Sequence, residues 1–424
     1  PRKVSETLTA VTEKPILLNR LQHLAEPWPA SVVGAVESSY FWGYLITQLP
    51  GGIIANKLSA TRAFGLATVI SSALNMLLPL AMSASYGFTI LIRFLQGLAE
   101  GCTYPACLGI WRYWAPPHEL SQLANIAFCG SNVGVLFSLL LSGALTESIG
   151  WPAPFYIYGG IGILWFALWF LYVSEKPAEH PCISEAERNY IVDSIGDHTD
   201  VDAQSCDTPW KSIFTSLPVL AVIVMEIAHG WAFYLLIVEP TKFFCDVFQF
   251  DLTQVRLISL NSFGPCFHGN ASIVLQSGFV SAMPHLLTSV IVPIGGCTAD
   301  FLNNGRLATT AVRKLYICFG FGMEAIFLLV AGYSSDARVA VVCLTLAVGF
   351  SAIALSGSWG TSPIPVITPS LPKFLFKPAP PAGFNVNLLD LAPRYAGILM
   401  GLANGVGSMA GIFLPVATAY MAED

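Results

Sequence analysis

The chain has 424 residues, of which 54% are hydrophobic and 11% are charged, and its formal net charge is −6. The mean hydropathy is +0.63. So few charges cannot cover a soluble globule of this size, and the charge balance gives no reason to expect a nucleic-acid partner. Hydrocarbon cannot hydrogen-bond the backbone, so the long unbroken apolar runs predict an all-α integral membrane protein.

Apolar stretches of roughly twenty residues predict ten membrane spans. The spans lie near 32–55, 63–83, 87–112, 122–146, 151–173, 214–238, 279–301, 315–333, 337–356 and 395–421. Lys57 and Arg62 follow the first span and Arg112 follows the third, so the positive-inside rule places these ends on the cytoplasmic side. The polar segment 174–212 is then also cytoplasmic.

An internal repeat relates the spans on the two sides of this segment. The first span ends with GGIIANKL (51–58) and the seventh with GGCTADFL (295–302), and both read G-G-x-x-A-(N/D)-x-L. Ala115-Pro116 and Ala392-Pro393 each lead to a glycine-rich helix, in the same order in both halves. Repeated halves are the plan of transporters that alternate access to a midplane site. A glycine-packed bundle with another function is the alternative.

Two stretches interrupt the repeat, namely 256–278 and the proline-rich 357–382. Each proline removes a backbone donor and blocks helix continuation, so 357–382 would leave unsatisfied backbone groups beside lipid. Both stretches are predicted to be insertions, either true loops or retained intron sequence. The predicted organisation is a polar N-terminal segment without a signal peptide (1–31), an N-terminal half (32–173), a cytoplasmic loop (174–212) and a C-terminal half (213–421).

Ionisable residues inside a span are candidate functional residues, because they are unfavourable there unless they are paired or hydrated. Arg93, Glu100 and Tyr104 lie at offsets of seven and eleven residues in one predicted helix, so they project from nearly the same face. Arg93 could bind an anionic group in bidentate geometry, and protonation of Glu100 could control its availability. The alternative is a structural Arg93–Glu100 pair that neutralises itself.

Further candidates lie in other spans. Glu37 near the beginning of the first span is a possible second proton-coupling carboxylate. Glu226 and His229 lie within span 214–238, and His229 could be a proton or anion gate because imidazole titrates near neutral pH. A hydrogen bond between two helices is the alternative role for that histidine. His285 and Glu324 are weaker candidates.

Three tyrosines, Tyr44, Tyr104 and Tyr234, could hydrogen-bond a substrate, although each could also serve packing alone. No catalytic elbow, zinc-protease pair, phosphate-binding loop or selectivity-filter sequence occurs in the chain. The sequence therefore disfavours an enzyme, a primary pump and a potassium-type pore, and it predicts no cofactor or metal site.

Five segments have a familiar combination of motifs. They are SSYFWGYLITQLPGG (38–52), RFLQGLAEGCTYPAC (93–107), WAPP (114–117), VPIGG with ADFL (292–302) and GFNVNLLDLAPRYAGILMGLANGVG (383–407). Together they closely resemble solute carrier family 17, the anion-transporter branch of the major facilitator superfamily, and within it the vesicular glutamate transporters. The resemblance implies a fold of two pseudo-repeated six-helix halves. The ten spans would be helices two to eleven, with the first and last helices lacking.

The resemblance also implies roles for individual residues. Arg93 matches the substrate-binding arginine of helix four, and Glu100 matches the carboxylate that senses protons. Tyr44, Tyr104 and Tyr234 match tyrosines of the pocket. These positions carry over to this sequence without change of residue type.

Three other positions depart from the glutamate transporters. Glu37 and Leu388 stand where those proteins have histidine, and His229 stands where they have arginine. The implied pocket is less positive than theirs. A dicarboxylate needs compensating charge in a low dielectric, so the departures weaken glutamate as the substrate more than they weaken anion transport.

The function implied is secondary active transport of small organic or inorganic anions by alternating access. Candidate substrates are L-glutamate, another organic anion and phosphate, and the coupling ion would be H⁺ or Na⁺. A sialin-like or phosphate symporter is one alternative, and a truncated membrane protein that does not transport is another. The expected location is the lipid bilayer of a synaptic or other intracellular vesicle, with the plasma membrane as the alternative.

Overall fold

The computed structural model describes residues 28–57, 59–116, 120–195, 208–238, 282–292, 294–295, 298, 302, 309–334, 336–357 and 395–423. Over these residues the chain is helical apart from short connections. The α-helices are α1 (Ala30–Lys57), α2 (Ala60–Ala84), α3 (Tyr86–Glu100), α4 (Thr103–Trp114), α5 (Leu120–Ser148), α6 (Ala153–Tyr172), α7 (Glu185–Ile195), α8 (Trp210–Thr215), α9 (Leu217–Val238), α10 (Ala282–Val292), α11 (Thr309–Tyr333), α12 (Ala337–Gly357), α13 (Ala396–Gly407) and α14 (Met409–Glu423).

Each of the ten predicted spans contains helix within the residues that the structure describes. The predicted seventh span is described mainly over 282–292. Five helical stretches of the described chain are long and apolar enough to cross a membrane, namely Ala60–Ala84, Ala153–Tyr172, Leu217–Leu236, Lys314–Tyr333 and Gly397–Ala417. The predicted insertion 256–278 lies outside the described residues, and so does 358–382 of the second insertion.

Large apolar side chains cover the outer surface of the bundle. Phe170 on α6 is 73% exposed and Val224 on α9 is 65% exposed, and similar residues occur on the other long helices. An apolar surface of this extent is unfavourable in water, whereas lipid tails solvate it. The outer surface therefore agrees with the membrane location that the composition predicts.

The predicted span 87–112 is divided into α3 and α4, which meet at Gly101 and Cys102. Pro105 has no backbone N–H, so it cannot donate the helical hydrogen bond to the carbonyl of Gly101. Gly101 also lies against α1, since a Cβ there would stand 2.1 Å from Thr47 Oγ1 and 2.5 Å from the Tyr44 carbonyl oxygen. The break in the helix thus coincides with a close approach of α1.

Glycines join the two halves where α1 meets α13. A Cβ on Gly52 would lie 2.4 Å from the carbonyl oxygen of Gly397, and one on Gly401 would lie 2.3 Å from that of Gln48. The two backbones are in direct contact, which small residues permit. These contacts lie near Lys57, at the end of α1 that the charge pattern predicts to be cytoplasmic. The bundle is therefore closed between α1 and α13 on that side.

An apolar cluster closes the halves at the same end. It joins α4 of the N-terminal half to α9 and α13 of the C-terminal half, with the helix α8 beside them. Its buried members are Leu108, Ala115, Ile213, Val219, Val222, Leu399, Met400 and Ala403. Because opening would expose these side chains, the cluster stabilises the closed arrangement.

The connection after α6 is attached to the beginning of α2. The Glu175 carboxylate accepts backbone N–H bonds from Ala60 at 3.0 Å and Thr61 at 3.2 Å, and hydroxyl bonds from Ser59 and Thr61. Trp114 Nε1, at the end of α4, donates to the Glu175 carbonyl at 3.2 Å. Partial burial of Glu175 opposes ionisation, but these hydrogen bonds outweigh it and lower the pKa of the carboxyl group. Glu175 thus caps α2 outside the membrane-spanning segments.

Candidate functional site

A cavity of about 470 Å³ lies among α1, α2, α3, α6 and α14. Most of its walls belong to the N-terminal half, and Pro415 of α14 completes them from the C-terminal half. The lining residues are Glu37, Tyr40, Phe41, Ser71, Ser72, Asn75, Arg93, Gln96, Glu100, Tyr158, Gly159 and Pro415. Charged, amide and hydroxyl groups converge here inside an apolar bundle, which is typical of a binding site.

Arg93 is the cationic residue among those that line the cavity. The guanidinium is partly buried, and its electrostatic partners are the phenol of Tyr40 and the carboxylates of Glu100 and Glu37. A planar guanidinium in the wall of a low-dielectric cavity can bind a carboxylate or phosphate through two parallel hydrogen bonds. The arrangement can therefore bind an anion.

Glu100 lies two turns along α3 from Arg93 and is held by hydroxyl groups. Tyr40 donates to Oε2 and Ser71 donates to Oε1 of the carboxylate. In the described part of the chain, the hydrogen bonds to this carboxylate come from hydroxyls and not from the Arg93 guanidinium. The donors of Arg93 are therefore not used up by Glu100, as they would be in a self-neutralising pair.

The charges that line the cavity do not balance. Arg93 contributes one positive charge, whereas Glu37 and Glu100 contribute two negative charges when they are ionised. In a low dielectric, a carboxylate near the guanidinium competes with an incoming anion for the same positive charge. Protonation of either glutamate removes that competition, so the arrangement can link anion binding to proton binding.

Two of the predicted pocket tyrosines lie outside this lining, at the contact between the halves. Tyr44 on α1 is buried, and its hydroxyl accepts a hydrogen bond of 2.9 Å from Asn404 Nδ2 on α13. Tyr234 on α9 presents its ring to Phe41 of α1, with ring centroids 4.9 Å apart. Both tyrosines therefore connect the N-terminal half to the C-terminal half.

Tyr104 and His229 also lie outside the cavity lining. Tyr104 lies in the first turn of α4 and is not part of the cavity lining that contains Arg93 and Glu100. The ring of His229 lies 5.6 Å from that of Phe233 and 5.9 Å from that of Phe321 on α11. His229 thus packs within the C-terminal half.

Sequence reasoning missed the hydroxyl and amide groups of the cavity. Tyr40 could have been found, because it lies three residues after Glu37 and four before Tyr44 on one helix face. Ser71 and Asn75 share a face of α2 in the same way. They escaped notice because no ionisable residue lies beside them in the chain, and polar uncharged residues are common in membrane helices.

The chain is similar to known proteins over most of its length. A sequence profile described as Major Facilitator Superfamily matches residues 7–415. Vesicular glutamate transporter 1 of Bos taurus is 45% identical over 399 residues, which are 93% of this chain and 63% of that protein. Vesicular glutamate transporter 2 of Homo sapiens is 44% identical over 400 residues, or 94% of this chain and 60% of that protein. The chain thus spans about three fifths of these relatives.

A solved structure with a similar fold is the crystal structure of a D-xylose-proton symporter. It superposes with a TM-score of 0.58 at 13% sequence identity, over 92% of this chain and 80% of that chain. At this identity the similarity bears on the fold alone. Together with the sequence matches, it confirms the resemblance that the five segments indicated.

Proposed function

We propose that this chain, which belongs to the major facilitator superfamily, is a multi-pass membrane carrier. It would move small anions by alternating access. The observation that carries the proposal is Arg93 in the wall of a polar cavity inside the bundle. The curated relatives are named vesicular glutamate transporters, and glutamate is an anion. Because these relatives are transporters by name, transport rather than catalysis is the activity that we propose.

L-glutamate is the substrate that we propose, although Arg93 is the one cationic residue that the described cavity lining offers to its two carboxylates. Arg93 would bind one carboxylate of glutamate, and the ammonium group would lie near Glu37. The side-chain amides of Asn75 and Gln96, each with a second N–H beyond the one donated to a backbone carbonyl, would bind the second carboxylate. A zwitterion with a net negative charge matches one arginine and two carboxylates better than a phosphate dianion, which offers no cationic group.

The coupling ion in this proposal is the proton. Ionised Glu100 weakens the electrostatic attraction between Arg93 and the anion, and protonation of Glu100 on the acidic side of the membrane would strengthen it. The location that goes with this role is the membrane of an acidic intracellular vesicle, such as a synaptic vesicle.

Uptake into proteoliposomes tests the proposal. The full-length protein would be reconstituted, and the accumulation of radiolabelled glutamate would be measured beside that of sialate, phosphate and nucleotides. Removing a buried charge that pairs with the substrate costs about 2–5 kcal/mol, so Arg93→Ala should lower glutamate uptake by at least about thirtyfold. Equal uptake by the wild type and Arg93→Ala would remove the basis of the proposal.

The matched control is Arg62→Ala. Arg62 is exposed at the beginning of α2, outside the cavity, so its removal should leave uptake within about twofold of the wild type. Arg93→Lys separates charge from geometry, since a lysine keeps the charge without the bidentate donor pair. We expect it to transport less than the wild type and more than Arg93→Ala.

A further inference from the structure

Glu226 is a buried carboxyl group near the middle of α9 that the proposed anion site does not use. Its side chain is 4% exposed, and its Oε1 has no hydrogen-bond partner among the described residues. An ionised carboxylate in such a place would lose several kcal/mol of hydration free energy without compensation. The packing around Glu226 therefore requires the neutral, protonated form of the group.

Helix α13 covers this carboxyl group with its backbone. A Cβ on Gly407 would lie 2.9 Å from the Glu226 carbonyl oxygen and 3.2 Å from its Oε2, and a Cβ on Gly230 would lie 2.4 Å from the Gly407 carbonyl oxygen. The two helices thus touch backbone to backbone one turn after Glu226. Helix α13 has no titratable side chain, so it brings no counter-charge.

Tyrosines connect Glu226 with the N-terminal half. The phenol of Tyr104 on α4 is within electrostatic range of both Glu226 and Glu100. Tyr234 on α9 is within range of Glu226 and Tyr104. The remaining titratable group nearby on α9 is His229, one turn after Glu226. Glu226 therefore lies at the contact between the halves and not in an isolated part of the core.

Among the described side chains, the helices α8, α12 and α14, which also pack against α9, add no cation beside Glu226. Cys343 is the titratable residue with a described side chain on α12, and the described side chains of α14 include none. Lys211 on α8 is exposed and lies before the beginning of α9. In the part of the chain that the structure describes, burial is thus not offset by a charged partner.

We propose that Glu226 is a proton-binding site of the C-terminal half, loaded while the cytoplasmic side is closed and emptied when α4 separates from α9 and α13. The proposal rests on the carrier function proposed above. In the closed arrangement the carboxyl group holds its O–H bond. When water reaches the group, the O–H bond breaks, water accepts the proton and the carboxylate remains.

A proton fits this site better than a metal cation does. A proton neutralises one carboxylate by itself, whereas a metal cation needs several oxygen ligands around it. No group of three or more His, Cys, Asp or Glu residues that could hold a metal ion occurs among the described residues. Because its Oε1 has no hydrogen-bond partner among the described residues, the carboxyl group of Glu226 is assigned to H⁺, and the transport test below distinguishes H⁺ from Na⁺.

Proton binding here should favour anion binding. Tyr104 lies within electrostatic range of both Glu226 and Glu100. When Glu226 is neutral, the region around these residues has one negative charge fewer, so the electrostatic repulsion that opposes binding of an anion is smaller. By linkage, the bound anion favours the proton by the same factor. The coupling has the sign of proton–anion symport.

Infrared spectroscopy tests the protonation without any substrate. The full-length wild type is compared with Glu226→Gln at neutral pH, in the region of the carbonyl stretch of protonated carboxyl groups. The matched control is Glu324→Gln, because Glu324 is 3% exposed and also has an unpartnered Oε1. Glu226→Gln should remove a component of the band that Glu324→Gln leaves in place. A band that Glu226→Gln leaves unchanged would mean that Glu226 is ionised, against the proposal.

Transport in proteoliposomes tests the coupling. Glu226→Gln should lower accumulation driven by a pH gradient by about tenfold or more, while anion exchange at symmetric pH stays within about twofold of the wild type. Accumulation like that of the wild type would overturn the proposal. A Na⁺ gradient that drives uptake in the wild type and not in Glu226→Gln would reassign the site to Na⁺.

Two further outcomes of the transport measurement are possible, and each has a defined interpretation. If Glu226→Gln also loses exchange, Glu226→Asp restores a titratable group, and only the return of accumulation driven by a pH gradient supports the proposal. If the wild type exchanges none of the anions, the carrier function fails. The infrared comparison still decides whether Glu226 is protonated.

Discussion

Two carboxyl groups inside the bundle, Glu100 and Glu226, have surroundings that are opposite in kind. Glu100 lies in the wall of a cavity and accepts hydroxyl hydrogen bonds from Tyr40 and Ser71. Glu226 is packed against the backbone of α13, with an oxygen that has no described partner. Donors aimed at a carboxylate stabilise its charge, whereas dry packing excludes charge. From this comparison we infer that Glu100 belongs to a hydrated binding site, whereas Glu226 belongs to the contact between the halves, which closes and opens.

The largest loss of stability is expected from a substitution that disrupts the packing between α1 and α13. Gly401→Leu would force a side chain into the backbone of Gln48, which a Cβ at this position already approaches to 2.3 Å. The free energy of unfolding should fall by about 3 kcal/mol. Thermal unfolding in detergent would measure it. Gly160→Leu on α6 is the control, since a Cβ there meets nothing within 4 Å, and equal losses in both variants would contradict the comparison.

The two carboxyl groups should respond differently to the same chemical change. Glu100→Gln removes the charge that the hydroxyls of Tyr40 and Ser71 stabilise, so the free energy of unfolding should fall by about 2 kcal/mol at neutral pH. Glu226→Gln replaces a neutral carboxyl group by a neutral amide, so it should change the free energy of unfolding by less than about 0.5 kcal/mol. Unfolding temperatures measured side by side would sharpen the comparison, and equal shifts would refute it.

A smaller effect is expected from the polar bond that joins the halves. Tyr44→Phe removes the acceptor of the 2.9 Å hydrogen bond from Asn404 and should lower the free energy of unfolding by about 1 kcal/mol. A double-mutant cycle with Asn404→Ala would isolate the interaction. Strictly additive losses would show that this bond does not hold the halves together.

The smallest effect concerns a third carboxylate, Glu175, which lies outside the spans. Glu175→Gln should destabilise the cap of α2 by about 1 kcal/mol at neutral pH, and less in high salt. The folded-state pKa of Glu175 is lowered from its ordinary 4.5. Its stabilisation is therefore present above that value and is lost as the pH falls through the lowered folded pKa.

Unfolding temperatures of the wild type and Glu175→Gln across a pH series would test the cap. The two curves should differ near neutral pH and converge in acid, because protonation gives both proteins an uncharged side chain at this position. A difference that persists unchanged to the acid end of the series would show that charge is not what Glu175 contributes.

The helices were largely predictable because each one satisfies its own backbone hydrogen bonds in lipid. The spans predicted at 32–55 and 151–173 agree with α1 and α6 to within two residues at each end. The break between α3 and α4 was not predicted. It depends on Pro105 together with the approach of α1 to Gly101, and the second of these is a contact between segments distant in the chain.

The sequence by itself determined the membrane solvent, the two repeated halves and the presence of Arg93 and Glu100 in one helix, because composition, periodicity and unfavourable intramembrane charge can be read along the chain. Only the tertiary structure decided that Tyr40 and Ser71 donate to Glu100. It also decided that α13 covers Glu226. These relations depend on which faces of separate helices meet, and the interior packing that selects those faces is not encoded within any one segment.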